Sequence, residues 1–125
     1  ILKVCSFKKI MVKVYCLGSS ISGDELALQF VGKRISGFDF VKYSGEVCEE
    51  MVVMDVVKGV SEIVVLGLDE FLARNPVTVH DFDYGTELRL RMAVGEIKEV
   101  KVICLPFGWS YDQVCDGLKN KTYIK

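Results

Sequence analysis

The fold of this chain is constrained most by a set of short, β-rich apolar runs, chiefly Met11 to Leu17, Met51 to Met54 and Val100 to Leu105. A strand with one solvated face alternates apolar and polar residues, whereas a strand covered on both faces reads as a continuous apolar run. Met51-Val52-Val53-Met54 is of the second kind, and strands of that kind usually lie in parallel sheets, with crossover helices over them. The sequence supplies such helices. Ser22 and Glu25 have the spacing of a capping box, and Ala27, Phe30, Val31 and Ile35 fall on one side of a helix predicted to stop at Ser36-Gly37. Gly85 to Val94, with Glu87 and Arg91 four residues apart, predicts a surface helix. Ser110 is placed to cap a last helix over Tyr111 to Leu118, whose apolar stripe is Tyr111, Val114, Cys115 and Leu118.

Phe38 to Lys42 predicts a further strand. Glu62 to Leu66 follows Asp55 too soon for a helix to intervene, so this strand is expected to return antiparallel or to lie at an edge. Asp69 and Glu70 are expected in a solvated turn. The expectation is therefore an α/β domain, a three-layer α/β/α sandwich on a mostly parallel, mixed sheet of about five strands. Ligands of such sheets bind outside the carboxyl ends of the parallel strands.

Composition narrows the function. The chain has 125 residues, 50% of them hydrophobic, which suits one domain with one core. That domain is expected to span residues 11–125. Residues 1–10 carry Lys3, Lys8 and Lys9 among apolar residues and read as an upstream extension or an incomplete start. A secretory signal is disfavoured because no long apolar region and no small-residue cleavage site follow Lys9. Lys and Arg number 16 against 17 Asp and Glu, so there is no basic footprint for nucleic acid. The apolar runs fall far short of the roughly 20 residues that cross a bilayer. Five cysteines form an odd set without a CxxC pair, which predicts buried free thiols and a reducing, cytoplasmic setting.

The candidate chemistry lies on the rim where the strands end. The topology rule brings the loop from Gly18 to Glu25 and the strand end at Asp55 together there, and His80, the sole histidine, can join them from the Val79 to Gly85 segment. Two carboxylates and an imidazole are natural ligands for nickel, zinc or iron, and three protein ligands leave coordination positions open. Each residue also has an ordinary reading. Glu25 can be the capping partner of Ser22, Asp55 a turn residue, and His80 a hydrogen-bonded loop residue. Asp81 and Asp83 can orient His80 or cap the helix that follows. The first loop lacks the GxGxxG and Walker lysine patterns of nucleotide sites. Cys16 and Cys104 lie within strands, away in sequence from the histidine, and read as core residues. Trp109, after the last strand, can cover the core or contact a peptide.

These residues carry a resemblance. Gly18-Ser19-Ser20-Ile21-Ser22-Gly23-Asp24-Glu25, the strand Met51 to Met54 closed by Asp55, and His80 with Gly95 downstream resemble the nickel-iron hydrogenase maturation endopeptidases, in particular short archaeal-type members. The likeness runs from about Met11 to Pro106. It implies an α/β/α fold and an endopeptidase that removes a C-terminal extension from the precursor of the hydrogenase large subunit. The site would read nickel already inserted in that precursor, through Glu25, Asp55 and His80, so the metal belongs to the substrate. Gly18, Ser19, Asp24, Asp81 and Asp83 would shape the site. In the first loop Cys16-Leu17-Gly18-Ser19 stands where many relatives carry Gly-x-Gly-Asn. A second reading is a non-catalytic member of the family that binds a metal or a peptide tail without cutting it. The sequence does not fix an oligomeric state.

Overall fold

A computed structural model describes residues 12–17, 26–45, 48–74 and 83–120. Six strands form one mixed sheet: β1 (Val12–Cys16), β2 (Arg34–Ile35), β3 (Phe38–Lys42), β4 (Glu50–Val57), β5 (Val64–Gly67) and β6 (Glu99–Pro106), in the order β2-β3-β1-β4-β6-β5. The four central strands are mutually parallel, with Val14 opposite Phe40 and Val52, and Asp55 opposite Cys104. The short β2 and β5 run antiparallel at the two edges. The mostly parallel mixed sheet matches expectation, as does the antiparallel edge position of the strand near Glu62 to Leu66. Its residues are Val64–Gly67.

The continuous apolar runs are explained by burial on both faces. Val14, Cys16, Phe40, Val52, Met54, Val56, Ile103 and Leu105 pack in one cluster with Leu26, Ala27 and Phe30, and with Val114 and Leu118. The alternate residues Tyr15, Leu17, Met51, Val53, Val57, Val102 and Cys104 form the other, with Leu68, Phe71 and Leu88. The second set comes from α1 (Leu68–Arg74) and α2 (Asp83–Ala93), and Val114 and Leu118 come from α3 (Tyr111–Asn120). The segment around Asp69 and Glu70, expected as a turn, is thus helical. Both carboxylates sit in the first turn of α1, where they favour the positive end of the helix dipole, and Leu68 and Phe71 anchor it. No described helix is long and apolar enough to cross a membrane.

The helix expected to run to Ile35 is instead, in its described part, a short 3₁₀ helix, Ala27–Phe30. The chain leaves it through Gly32, at φ 88°, and Arg34 and Ile35 turn back on Asp39 and Phe38 as β2. Ser36 and Gly37 both have positive φ, 52° and 85°, the signature of a two-residue hairpin turn whose twist matches the strands it joins. Ile35 therefore belongs to the sheet, and the apparent helical spacing from Ala27 to Ile35 crosses two different structures.

The last helix forms as expected. Ser110 Oγ accepts a hydrogen bond from the Gln113 N–H at 3.2 Å, and Gln113 Oε1 accepts one from the Ser110 N–H at 2.9 Å. That reciprocal pair is a capping box. Ser110→Ala should lower stability by about 1 kcal/mol, read as a fall in the urea midpoint, while Ser110→Asp should keep most of it. Gly117 lets α3 approach the β4–β5 connection, because a Cβ there would lie 2.8 Å from Ile63 Cδ1.

Candidate functional site at the carboxyl rim

Asp55 is the sole buried charged or polar residue among those described, at 2% exposure. It was expected to close its strand, but β4 continues to Val57, held by the ladder to β6 through Val57 opposite Pro106. The reason lies in the two neighbours. On the β1 side the ladder ends at Cys16 opposite Met54, and the Leu17 N–H donates to the Met54 carbonyl at 2.9 Å. Asp55 is thus the first residue of β4 beyond the reach of β1, while β6 still pairs with it.

This position has a topological meaning. From β1 the chain passes to β3 on one side of it and then to β4 on the other, so the direction of winding reverses between β1 and β4. Open α/β sheets bind ligands at such a switch point, outside the carboxyl ends of the strands. Asp55 stands there. Its alternation with Val53 and Val57 puts it on the same face as Cys104, Tyr15 and Leu17. Oδ1 accepts a hydrogen bond from the Val56 N–H at 2.8 Å, which orients the carboxylate. A buried carboxylate is costly unless it is hydrogen-bonded or paired, and this bond helps to meet that cost.

Of the other predicted site residues, Gly18, Ser19, Asp24, Glu25, His80 and Asp81 lie outside the described residues. Asp83 opens α2, and its side chain too lies outside the description. Among the described residues no three His, Cys, Asp or Glu side chains come together as a metal-holding group. Asp55 is therefore the one predicted ligand whose surroundings can be read.

The thiols match the expectation of free cysteines in part. Cys16 and Cys104 are buried, Cys115 is half-buried and Cys48 is exposed, all of them free. Burial pushes the Cys16 thiol from its ordinary 9.0 up to about 12, so Cys16 is a core residue and a poor nucleophile. In the unfolded chain this thiol ionises near pH 9, so the stability it contributes is intact below that pH and declines as pH rises toward 12. The expected slope is about 1.4 kcal/mol per pH unit. Urea titrations between those limits should show a shallower decline for Cys16→Ala; an unchanged slope would place the loss elsewhere. A thiol reagent at neutral pH should label Cys48 and spare Cys16.

Two features of this end of the molecule were not foreseen. Tyr43, just after β3 and only 4% exposed, donates to Glu87 Oε2 at 3.1 Å, and Arg91 joins Glu87 to Glu96 through contacts of 3.1 and 3.0 Å. The Arg91 guanidinium is partly desolvated, which by itself lowers its pKa, but Glu87 and Glu96 outweigh that and raise it. Only the Glu87–Arg91 spacing was visible in the sequence. This network ties the end of β3 to α2.

The second feature is a cavity of about 220 Å³ bounded by Leu26, Gln29, Phe107, Trp109 and Tyr111. Tyr111 stacks on Phe30 with ring centroids 4.5 Å apart. Desolvation and then a hydrogen bond with Cys115 raise the Tyr111 pKa. The Phe107 N–H donates to the Val57 carbonyl at 3.0 Å, which fixes the cavity wall to the end of β4. Lys58 Nζ lies 5.2 Å from the centre of the Phe107 ring. No protein-family model, curated protein or solved structure matches the chain.

Proposed function

We propose that this protein is an endopeptidase that removes the C-terminal extension of a nickel-iron hydrogenase large-subunit precursor after nickel has been inserted. Glu25, Asp55 and His80 would capture the substrate's nickel. The observation that carries the reading is Asp55, a buried carboxylate at the switch point of a parallel sheet. The order of Glu25, Asp55 and His80 in the chain and the residues around them add the family resemblance.

Under this reading the metal anchors the precursor, and the scissile peptide lies beside the ligands. A water polarised by the metal, or activated by a carboxylate as general base, attacks the peptide carbonyl, and the bond to nitrogen breaks to give a carboxylate and an amine. Nickel-free precursor lacks the anchor and is passed over. The protein would work in the cytoplasm, where its free thiols stay reduced.

The test compares nickel-loaded with nickel-free precursor and reads the mass of the large subunit. Shortening with nickel alone supports the proposal. Nickel-dependent binding of the precursor with no shortening would instead support the non-catalytic member of the same family.

A further inference from the structure

The cavity beside Trp109 has no part in metal capture; it lies past the carboxyl ends of β4 and β6, on the face of the sheet opposite the Asp55 side chain. Its wall is tied to the end of β4 at one point. Phe107 hydrogen-bonds to Val57, two residues beyond Asp55. The lining is mainly aromatic and aliphatic, and Phe107 is 44% exposed, a large apolar side chain facing solvent where a core has no use for it. Apolar concave sites with a few polar groups are the usual form of ligand subsites, and Trp and Tyr are the residues that most often anchor them. Gln29 supplies one amide at the wall. Lys58, over Phe107, puts a cation beside this apolar surface. An apolar side chain on a segment that also carries a carboxylate is the chemistry that complements both.

We propose that the cavity formed by Leu26, Gln29, Phe107, Trp109 and Tyr111 is a specificity subsite, which receives an apolar side chain of the C-terminal extension while Lys58 faces that segment's carboxylate. The proposal rests on the endopeptidase reading for the identity of the peptide. Trp109 acts as a binding residue here and takes no part in the bond-breaking step.

Trp109 is the sole tryptophan, so its fluorescence reports on the cavity directly. The full chain is titrated with a synthetic peptide of the extension, and with the same peptide in which serine replaces each apolar residue. The expected result is a saturable shift in Trp109 emission with the first peptide, at least tenfold weaker binding of the second, and loss of affinity at high salt or in Lys58→Gln. In precursor cleavage Trp109→Ala should lower kcat/KM about 10- to 100-fold, mainly through KM, with Trp109→Phe restoring much of it. If Trp109→Ala fails to fold, Gln29→Glu, at an exposed position on the cavity wall, should raise KM in the same way, because it sets a second carboxylate against that of the segment. Equal binding of both peptides, or a silent tryptophan together with unchanged KM in Gln29→Glu, overturns the subsite. These outcomes separate from the nickel experiment. A peptide-specific emission shift without any cleavage leaves the subsite standing and removes the endopeptidase, whereas nickel-dependent cleavage with a silent tryptophan and an unchanged KM in Gln29→Glu does the reverse.

Discussion

Asp55→Asn is expected to abolish nickel-dependent cleavage, by a factor of at least about 100, while the protein stays folded. The size follows from comparison with residues that merely support metal ligands, whose loss already costs about 10- to 100-fold. Asparagine has nearly the shape of aspartate, and its amide oxygen can accept the Val56 N–H bond that Oδ1 accepts now. The substitution therefore removes the charge and leaves the local hydrogen bond. A purely structural Asp55, present to orient its own strand, would tolerate asparagine with little change in rate. Asp55→Ala is less informative, because it deletes the hydrogen bond as well. Activity should be read beside the urea midpoint, so that a loss of cleavage at unchanged stability identifies the carboxylate as a ligand.

Phe30→Ala should have the largest effect on stability, a loss of about 3–5 kcal/mol. Phe30 is fully buried at the end of the short 3₁₀ helix. Its ring lies between Phe40 of β3, at 5.5 Å, and Tyr111 of α3, at 4.5 Å. One side chain thus joins three elements, and a four-residue helix has few others with which to hold its place. Truncation removes the transferred apolar area, leaves a cavity, and breaks two aromatic pairs. Urea unfolding should show the midpoint falling with the slope unchanged. A cost below about 1 kcal/mol would mean that the neighbours close over the gap, and that the 3₁₀ helix is held by other contacts.

The parts of the fold that were legible in the sequence are those set by burial. Met51 to Met54 reads as a strand covered on both faces, and Val52 and Met54 do pack on one face while Met51 and Val53 pack on the other. Ser110 reads as a cap because its partner, Gln113, is local in sequence. Failures came where tertiary pairing overrides a local pattern. Ile35 has helical spacing from Ala27, but the turn at Ser36-Gly37 gives it a hydrogen-bonding partner strand, and the strand wins. Asp55 seemed to end its strand because a charge interrupts the apolar run. In fact β6 holds the strand for two residues more.

The candidate site divides in the same way. That Asp55 would lie on the carboxyl rim followed from its place after an apolar run, but its burial and its position at the reversal of winding needed the strand order. Tyr43 could not be matched to Glu87 in advance, since 44 residues separate them. The cavity at Trp109 likewise joins Leu26 to a turn far along the chain, and no local pattern announces such a meeting.

The central claim is that nickel on the substrate licenses cleavage through the rim that holds Asp55. It is tested most directly by incubating the protein with a hydrogenase large-subunit precursor, nickel-loaded or nickel-free, and weighing the product. The account predicts loss of the C-terminal extension from the loaded precursor alone, with wild type and not with Asp55→Asn. Equal shortening of both precursors, or undiminished shortening by Asp55→Asn, would contradict it.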